Sequence, residues 1–199
     1  MFEKACEQII QAGRYLYAQG MVPATSGNFS VRLNHGEIAI TVSGRHKGHL
    51  TDADVMRVDS NGESLDGQNP SAETLLHTFL YSRFSQINAI LHPHSINATV
   101  LSRLSGEYVK LNQYELLKAF PGITTHKTSL VVPVFDNDQN IARLARLVDS
   151  YIADIDHQVH AYLIRGHGFY TWGESMDDCL RHVEALEFLF ACELKQRGY

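Results

Sequence analysis

The chain has 199 residues, of which 44% are apolar and 20% charged, and its net charge is −5. That balance belongs to a folded globular domain rather than a disordered segment, and an acidic chain without a Lys/Arg block is not built to hold nucleic acid or an anionic membrane surface by bulk charge. No apolar run approaches the roughly 18–20 residues of a membrane span, charges at Glu3, Lys4 and Glu7 stand where a signal peptide would be apolar, and Cys6, Cys179 and Cys192 lack Cys-x-x-Cys spacing, as expected of thiols in a reducing cytoplasm.

Apolar residues at helical spacing predict a helix over 2–19 with Gly20 as its stop. The small polar stretch Thr25-Ser26-Gly27-Asn28 follows, then two alternating runs, 29–33 and 37–42, joined by the Asn34-His35-Gly36 turn as a hairpin. A second glycine-bearing loop begins at Ser43-Gly44, Thr51 or Asp52 caps a short turn, and 55–58 reads as a strand. Pro70 in a first turn predicts a helix from 70 to 84 with Leu75, Leu76, Phe79 and Leu80 on its apolar face. Residues 88–91 form a brief buried strand, 95–104 a helix capped by Ser95, and 113–120 a short helix stopped by Pro121-Gly122. Residues 129–135 are strand-like, with Pro133 indicating an edge or a bulge. An amphipathic helix over 140–152, a strand over 160–164, an extended stretch over 169–173 and a long helix over 175–196 complete the chain. Helices and strands interleave without a linker, so the expectation is one α/β domain over 1–199 with a central mixed sheet.

The chemistry gathers at Leu91-His92-Pro93-His94. Imidazoles two residues apart project to the same side of an extended backbone, and Pro93 stiffens the pair. Two nitrogens of this kind suit zinc, which in a catalytic site takes three protein ligands and keeps one position open. His167, between two glycines after an apolar strand, is the third candidate; His77 is a weaker one that can equally face solvent. His126, His157, His160 and His182 read as structural or solvated. The Ser26-Gly27-Asn28 and Ser43-Gly44 loops offer N–H groups and hydroxyls that suit a phosphate, and Ser71 at a helix start adds another anion-favouring element. Glu73 and Glu115 are the candidate bases, each also explicable as an ordinary helix carboxylate.

Thr25-Ser26-Gly27-Asn28-Phe29-Ser30, Ser43-Gly44, Pro70-Ser71-Ala72-Glu73 with His77, His92-Pro93-His94 and Gly166-His167-Gly168 occur in an order that resembles the class II aldolase/adducin family over nearly the whole chain. The resemblance implies the α/β/α fold, one Zn²⁺ per subunit on His92, His94 and His167, a sugar-phosphate substrate held by Ser26, Gly27, Asn28, Ser43, Gly44 and Ser71, and a homotetramer with its sites near subunit interfaces. Residues 165–173 and 185–190 resemble the dehydratases of methionine salvage, and residues 113–118 resemble the segment that carries their acid/base glutamate, so the resemblance assigns proton transfer to Glu115, with Glu73 as the alternative base or a supporting group. The family's aldolases use a glutamate matching Glu73. Its epimerases have an aspartate there, and its adducin-type members lack the metal site, so both branches fit this chain less well.

Overall fold

The computed structural model describes residues 1–155 and 158–199. Its centre is an eight-stranded sheet of β1 (Asn28–Arg32), β2 (Ile38–Thr41), β3 (Val55–Val58), β4 (Ala89–His92), β5 (Tyr108–Asn112), β6 (Ser129–Phe135), β7 (Ala161–Ile164) and β8 (Gly168–Gly173). Their spatial order is β3-β2-β1-β4-β8-β7-β6-β5. Every neighbouring pair is antiparallel except β6 and β7, so the sheet is mixed. Helices α1 (Phe2–Ala18), α3 (Ile96–Leu104) and α5 (Met176–Gln196) cover one face, and α2 (Thr74–Arg83) with α4 (Ile141–Asp154) covers the other. Strand alternation divides the side chains between the two layers: Phe29, Leu91 and Phe169 go to the first, Ile90, Tyr170 and Trp172 to the second. This is the expected three-layer α/β/α domain.

The capping chemistry is local and matches the sequence. Ser95, Asn140 and Ser175 each accept a backbone N–H of the first turn at the start of α3, α4 and α5, and Gly20 turns the chain after α1 with φ +73°. Three expectations change. The helix predicted from Pro70 begins at Thr74, because Pro70 bridges to Val42 and residues 71–74 close a tight turn in which the Ser71 carbonyl accepts from Thr74 N–H and its hydroxyl accepts from Glu73 N–H. The short helix near 113–120 is a 3₁₀ turn over Glu115–Ala119, entered through Gln113 at φ +60°. Pro133 lies on an interior strand. Val134 N–H points toward β5, donating to Glu107, so the missing N–H of Pro133 falls on the β7 side, where pairing starts only at Val134.

Candidate metal and substrate site

Three strand ends meet at one edge of the sheet. His92, the last residue of β4, lies opposite Asn28, the first of β1, and β8 starts at Gly168 beside them. His94 and His167 sit in the adjoining loops. The three imidazoles bring ligand nitrogens within 4.8 Å of one another, and among the described residues they are the one such group of three metal-ligating side chains. His92 Nε2 and His94 Nε2 are 2.9 Å apart. The Phe169 carbonyl accepts from His92 Nδ1–H at 2.8 Å, which leaves the Nε2 lone pair facing the cluster. His167 Nδ1 is buried without a partner among the described residues. Burial and the neighbouring imidazoles push His94 down to about 2, and burial also lowers His167, so both favour the neutral, ligating form. The donor set fits a divalent metal that accepts nitrogen.

Close backbone approach is what closes the cluster. A Cβ on Gly168 would lie 2.3 Å from the Pro93 carbonyl oxygen and 3.1–3.2 Å from the rings of His94 and His92. A Cβ on Gly27, whose φ is +78°, would lie 2.6 Å from the His92 carbonyl oxygen. Gly168→Ala should therefore force the two histidine segments apart. We expect a loss of about 1–3 kcal/mol of stability and weaker metal binding, read from thermal melts with and without added divalent metal.

Glu73 stands against this cluster. Its carboxylate oxygens are 3.2 Å from His92 Nε2 and 3.4 Å from His167 Nε2, and Oε2 accepts from Asn28 Nδ2 and Tyr170 OH, each at 2.8 Å. Burial alone would raise its pKa; positive charge in the cluster, carried by His92 or His167 when a ring is protonated, and the Asn28 hydrogen bond outweigh that and hold the carboxyl well below the usual range. Tyr170 stacks on His92 at 4.0 Å between ring centroids, and burial next to Glu73 pushes its phenol well above 10. His77 does not face solvent: it is fully buried, and burial lowers it to about 3. The inner face of α2 is therefore partly polar, with His77, Thr78 and Tyr81 buried beside Leu76 and Leu80, while Leu75 is turned outward.

A cavity of about 260 Å³ opens beside Glu73, His94 and His167. Gly27, Asn28, Ser43, Gly44 and Ser71 all contribute to its wall. Ser26 is not part of that wall, and its buried hydroxyl has no partner among the described residues, whereas the Asn28 amide is already committed to Glu73 and His77. One further wall residue carries no signal in its local sequence. Lys47 is 1% exposed, and its ammonium donates to the carbonyls of Thr25 at 2.9 Å and Arg45 at 2.6 Å, tying the two polar loops together. Burial lowers it to about 8. Glu115 is elsewhere: it is exposed on its 3₁₀ turn, paired with Lys118 and His126, and does not line this cavity. His160 and His182 are packed in the core against Phe120, and His157 lies outside the described residues.

The family model described as Class II Aldolase and Adducin N-terminal domain matches residues 7–194. The chain belongs to the class II aldolase and adducin family. Among curated relatives it is similar to the methylthioribulose-1-phosphate dehydratase of Methylococcus capsulatus, at 59% identity covering 99% of this chain and 96% of that one. The enzyme of that name from Pseudomonas paraeruginosa is 57% identical, covering 97% and 95%. Among solved structures, YgbL from Klebsiella pneumoniae superposes with a TM-score of 0.84 at 25% identity, covering 98% and 90%. L-fuculose-1-phosphate aldolase from Thermus thermophilus gives 0.76 at 28%, covering 96% and 93%. Both superpose over nearly the whole chain, in keeping with the class II aldolase-like α/β/α architecture seen here.

Proposed function

We propose that the chain is a hydro-lyase that dehydrates 5-methylthioribulose 1-phosphate to 2,3-diketo-5-methylthiopentyl 1-phosphate, a step of methionine salvage. The observation that carries this reading is an ionised Glu73 set 3.2–3.4 Å from two members of a three-histidine cluster, beside a hydroxyl-lined cavity, in a chain 59% identical to a dehydratase of that name. The single domain of 199 residues is taken as the catalytic unit.

His92, His94 and His167 would hold the metal, for which zinc, one per subunit, is our assignment from an all-imidazole donor set. When bound, it supplies Lewis acidity toward the oxygens at C2 and C3 of a ketose phosphate. The protein's own groups do the rest. Hydroxyls of Ser43 and Ser71, the loop backbone at Gly27 and Gly44 and the Lys47 ammonium surround the phosphate. The Glu73 carboxylate takes the C3 proton. Departure of the C4 hydroxyl then needs a proton donor, and the resulting enol tautomerises to the diketone. We assign the donor to Glu115 of a neighbouring copy in a tetramer; in the single chain Lys118 holds that carboxyl low and ionised, so the role requires assembly to break this pair and protonate Glu115. Three free thiols accord with a reducing cytoplasm.

The second reading is an aldolase that cleaves a deoxyketose phosphate, favoured by the same Glu73 placement and by the fold shared with the fuculose phosphate enzyme. Incubation with methylthioribulose 1-phosphate, with and without a chelator, separates them. Chelator-sensitive formation of the diketone supports the dehydratase; release of dihydroxyacetone phosphate from deoxyketose phosphates, with the methylthio sugar untouched, replaces it with the aldolase.

Lys47 supplies a further expectation. Losing a charged hydrogen-bonding group costs about 1.5–3 kcal/mol, so Lys47→Met should raise KM for the sugar phosphate about 10-fold or more. Because its ammonium is lost as pH rises through about 8, inhibition by inorganic phosphate, corrected for phosphate's own ionisation, should weaken between pH 7 and pH 9 in the wild type more than in the variant.

A further inference from the structure

Behind Glu73 a line of buried polar side chains runs into the layer between the sheet and α2, and each hydrogen bond in it has one allowed direction. The Asn28 amide NH₂ donates to Glu73 Oε2 at 2.8 Å, an oxygen that also accepts from Tyr170 OH. The Asn28 carbonyl oxygen therefore faces His77 Nε2, which must carry the ring proton. A neutral imidazole has one donor and one acceptor nitrogen. His77 Nδ1 is thus the acceptor, and Ser30 Oγ–H, 2.7 Å away, donates to it. With that proton committed, Ser30 Oγ accepts from Tyr81 OH at 2.9 Å. Ser30 and His77 are wholly buried and Tyr81 is 4% exposed, so water does not compete for any of these groups. The donors point one way, from Tyr81 through Ser30, His77 and Asn28 to Glu73.

We propose that His77 is a positioning residue for Glu73, acting through the tautomer-locked Asn28 amide. Oε2 is occupied by Asn28 and by Tyr170, which leaves Oε1, 3.4 Å from His167 Nε2, as the oxygen that meets a substrate proton. Without the His77 Nε2–H, only two long contacts of 3.4 Å, from Tyr170 OH to the Asn28 carbonyl oxygen and from the Asn28 amide to Ser71 Oγ, keep that amide from turning its carbonyl toward the carboxylate. Two acceptors would then repel, and Glu73 would swing off its line. Aligned dipoles in a dry layer also strengthen one another, so loss at the far end is felt at Glu73.

The proposal rests on Glu73 working in the reaction, and the test separates the two. Gln at position 77 places an amide N–H where Nε2–H is and keeps the bond to Asn28; Asn reaches only the Nδ1 position and keeps the bond to Ser30. On metal-loaded protein, His77→Asn should lower kcat about 10–100-fold, the scale of an outer-shell partner, with KM within about twofold. His77→Gln should recover most of that loss. In a Glu73→Gln background, His77→Asn should cost nothing more, because it acts through the group already removed. Thermal melts and metal content, measured alongside, report folding. Equal kcat for the two His77 variants at matched folded fraction, or a full additional loss in the Glu73→Gln background, overturns the positioning role and leaves Glu73 in place. Wild-type turnover in Glu73→Gln overturns both.

Discussion

His92→Ala should abolish both metal retention and turnover, a larger effect than the same change at His94. His92 is fully buried at the end of β4, directed by the Phe169 carbonyl and stacked on Tyr170, so its ring cannot be replaced by a neighbour or by water held in place. Loss of an outer-shell partner alone weakens metal affinity about 10–100-fold, and removing a ligand should exceed that range. His94 lies at the solvent side of the cluster and is half-buried; its loss leaves His92, His167 and Glu73 in position, and excess metal should recover part of the activity. Metal content after dialysis, followed by turnover across a titration of added divalent metal, measures both. Equal, full metal content in His92→Ala would remove it from the ligand set. Since the side chain also fills core space, melting curves of the metal-free wild type and variant establish that both are folded before the comparison is made.

The parts of this site that could be read from the sequence are those whose local pattern fixes direction. His92 and His94 share a side because strand residues alternate, and His167 is conspicuous between glycines that permit close contact, as the Gly168 contact with Pro93 shows. Lys47 was illegible because a lysine between histidine and glycine in a polar loop reads as solvated. Only packing buries it: α1 lies over the loop, and Gly13 lets the Lys47 carbonyl approach, since a Cβ there would be 2.3 Å from that oxygen. His77 was misjudged for a related reason. Apolar periodicity placed Leu75 inward, but the buried stripe of α2 includes His77 and Tyr81 because Ser30 and Asn28 on the sheet beneath give them partners. The helix expected over 70–84 starts four residues later because of the Val42–Pro70 bridge, a long-range pairing that no local signal reports. Tyr170 was within reach, since alternation along 168–173 puts it on the face of Trp172 and His92.

Glu73→Gln should reduce kcat by about 10²–10⁴-fold, the range that general acid–base groups contribute, while leaving the fold and the metal in place. Gln is nearly isosteric, and its carbonyl can still accept from Asn28 and Tyr170 at the Oε2 position. What it loses is the charge that accepts a proton. Substrate labelled at C3 makes the role visible: the wild type should release the label to solvent, and the variant should retain it in unreacted sugar phosphate. Glu115→Gln is the necessary partner experiment. Its carboxylate is exposed and paired with Lys118 and His126 in its own chain, so if it serves as the acid toward a neighbouring copy's substrate, its loss should slow departure of the C4 hydroxyl while label exchange at C3 continues. If label exchange instead stops in Glu115→Gln and persists in Glu73→Gln, the two roles are reversed, and Glu73 becomes the group that orients His92 and His167 rather than the one that moves the proton. The present geometry favours the first outcome, because Glu73 is the carboxylate that the protein has buried, hydrogen-bonded and kept ionised beside the three histidines.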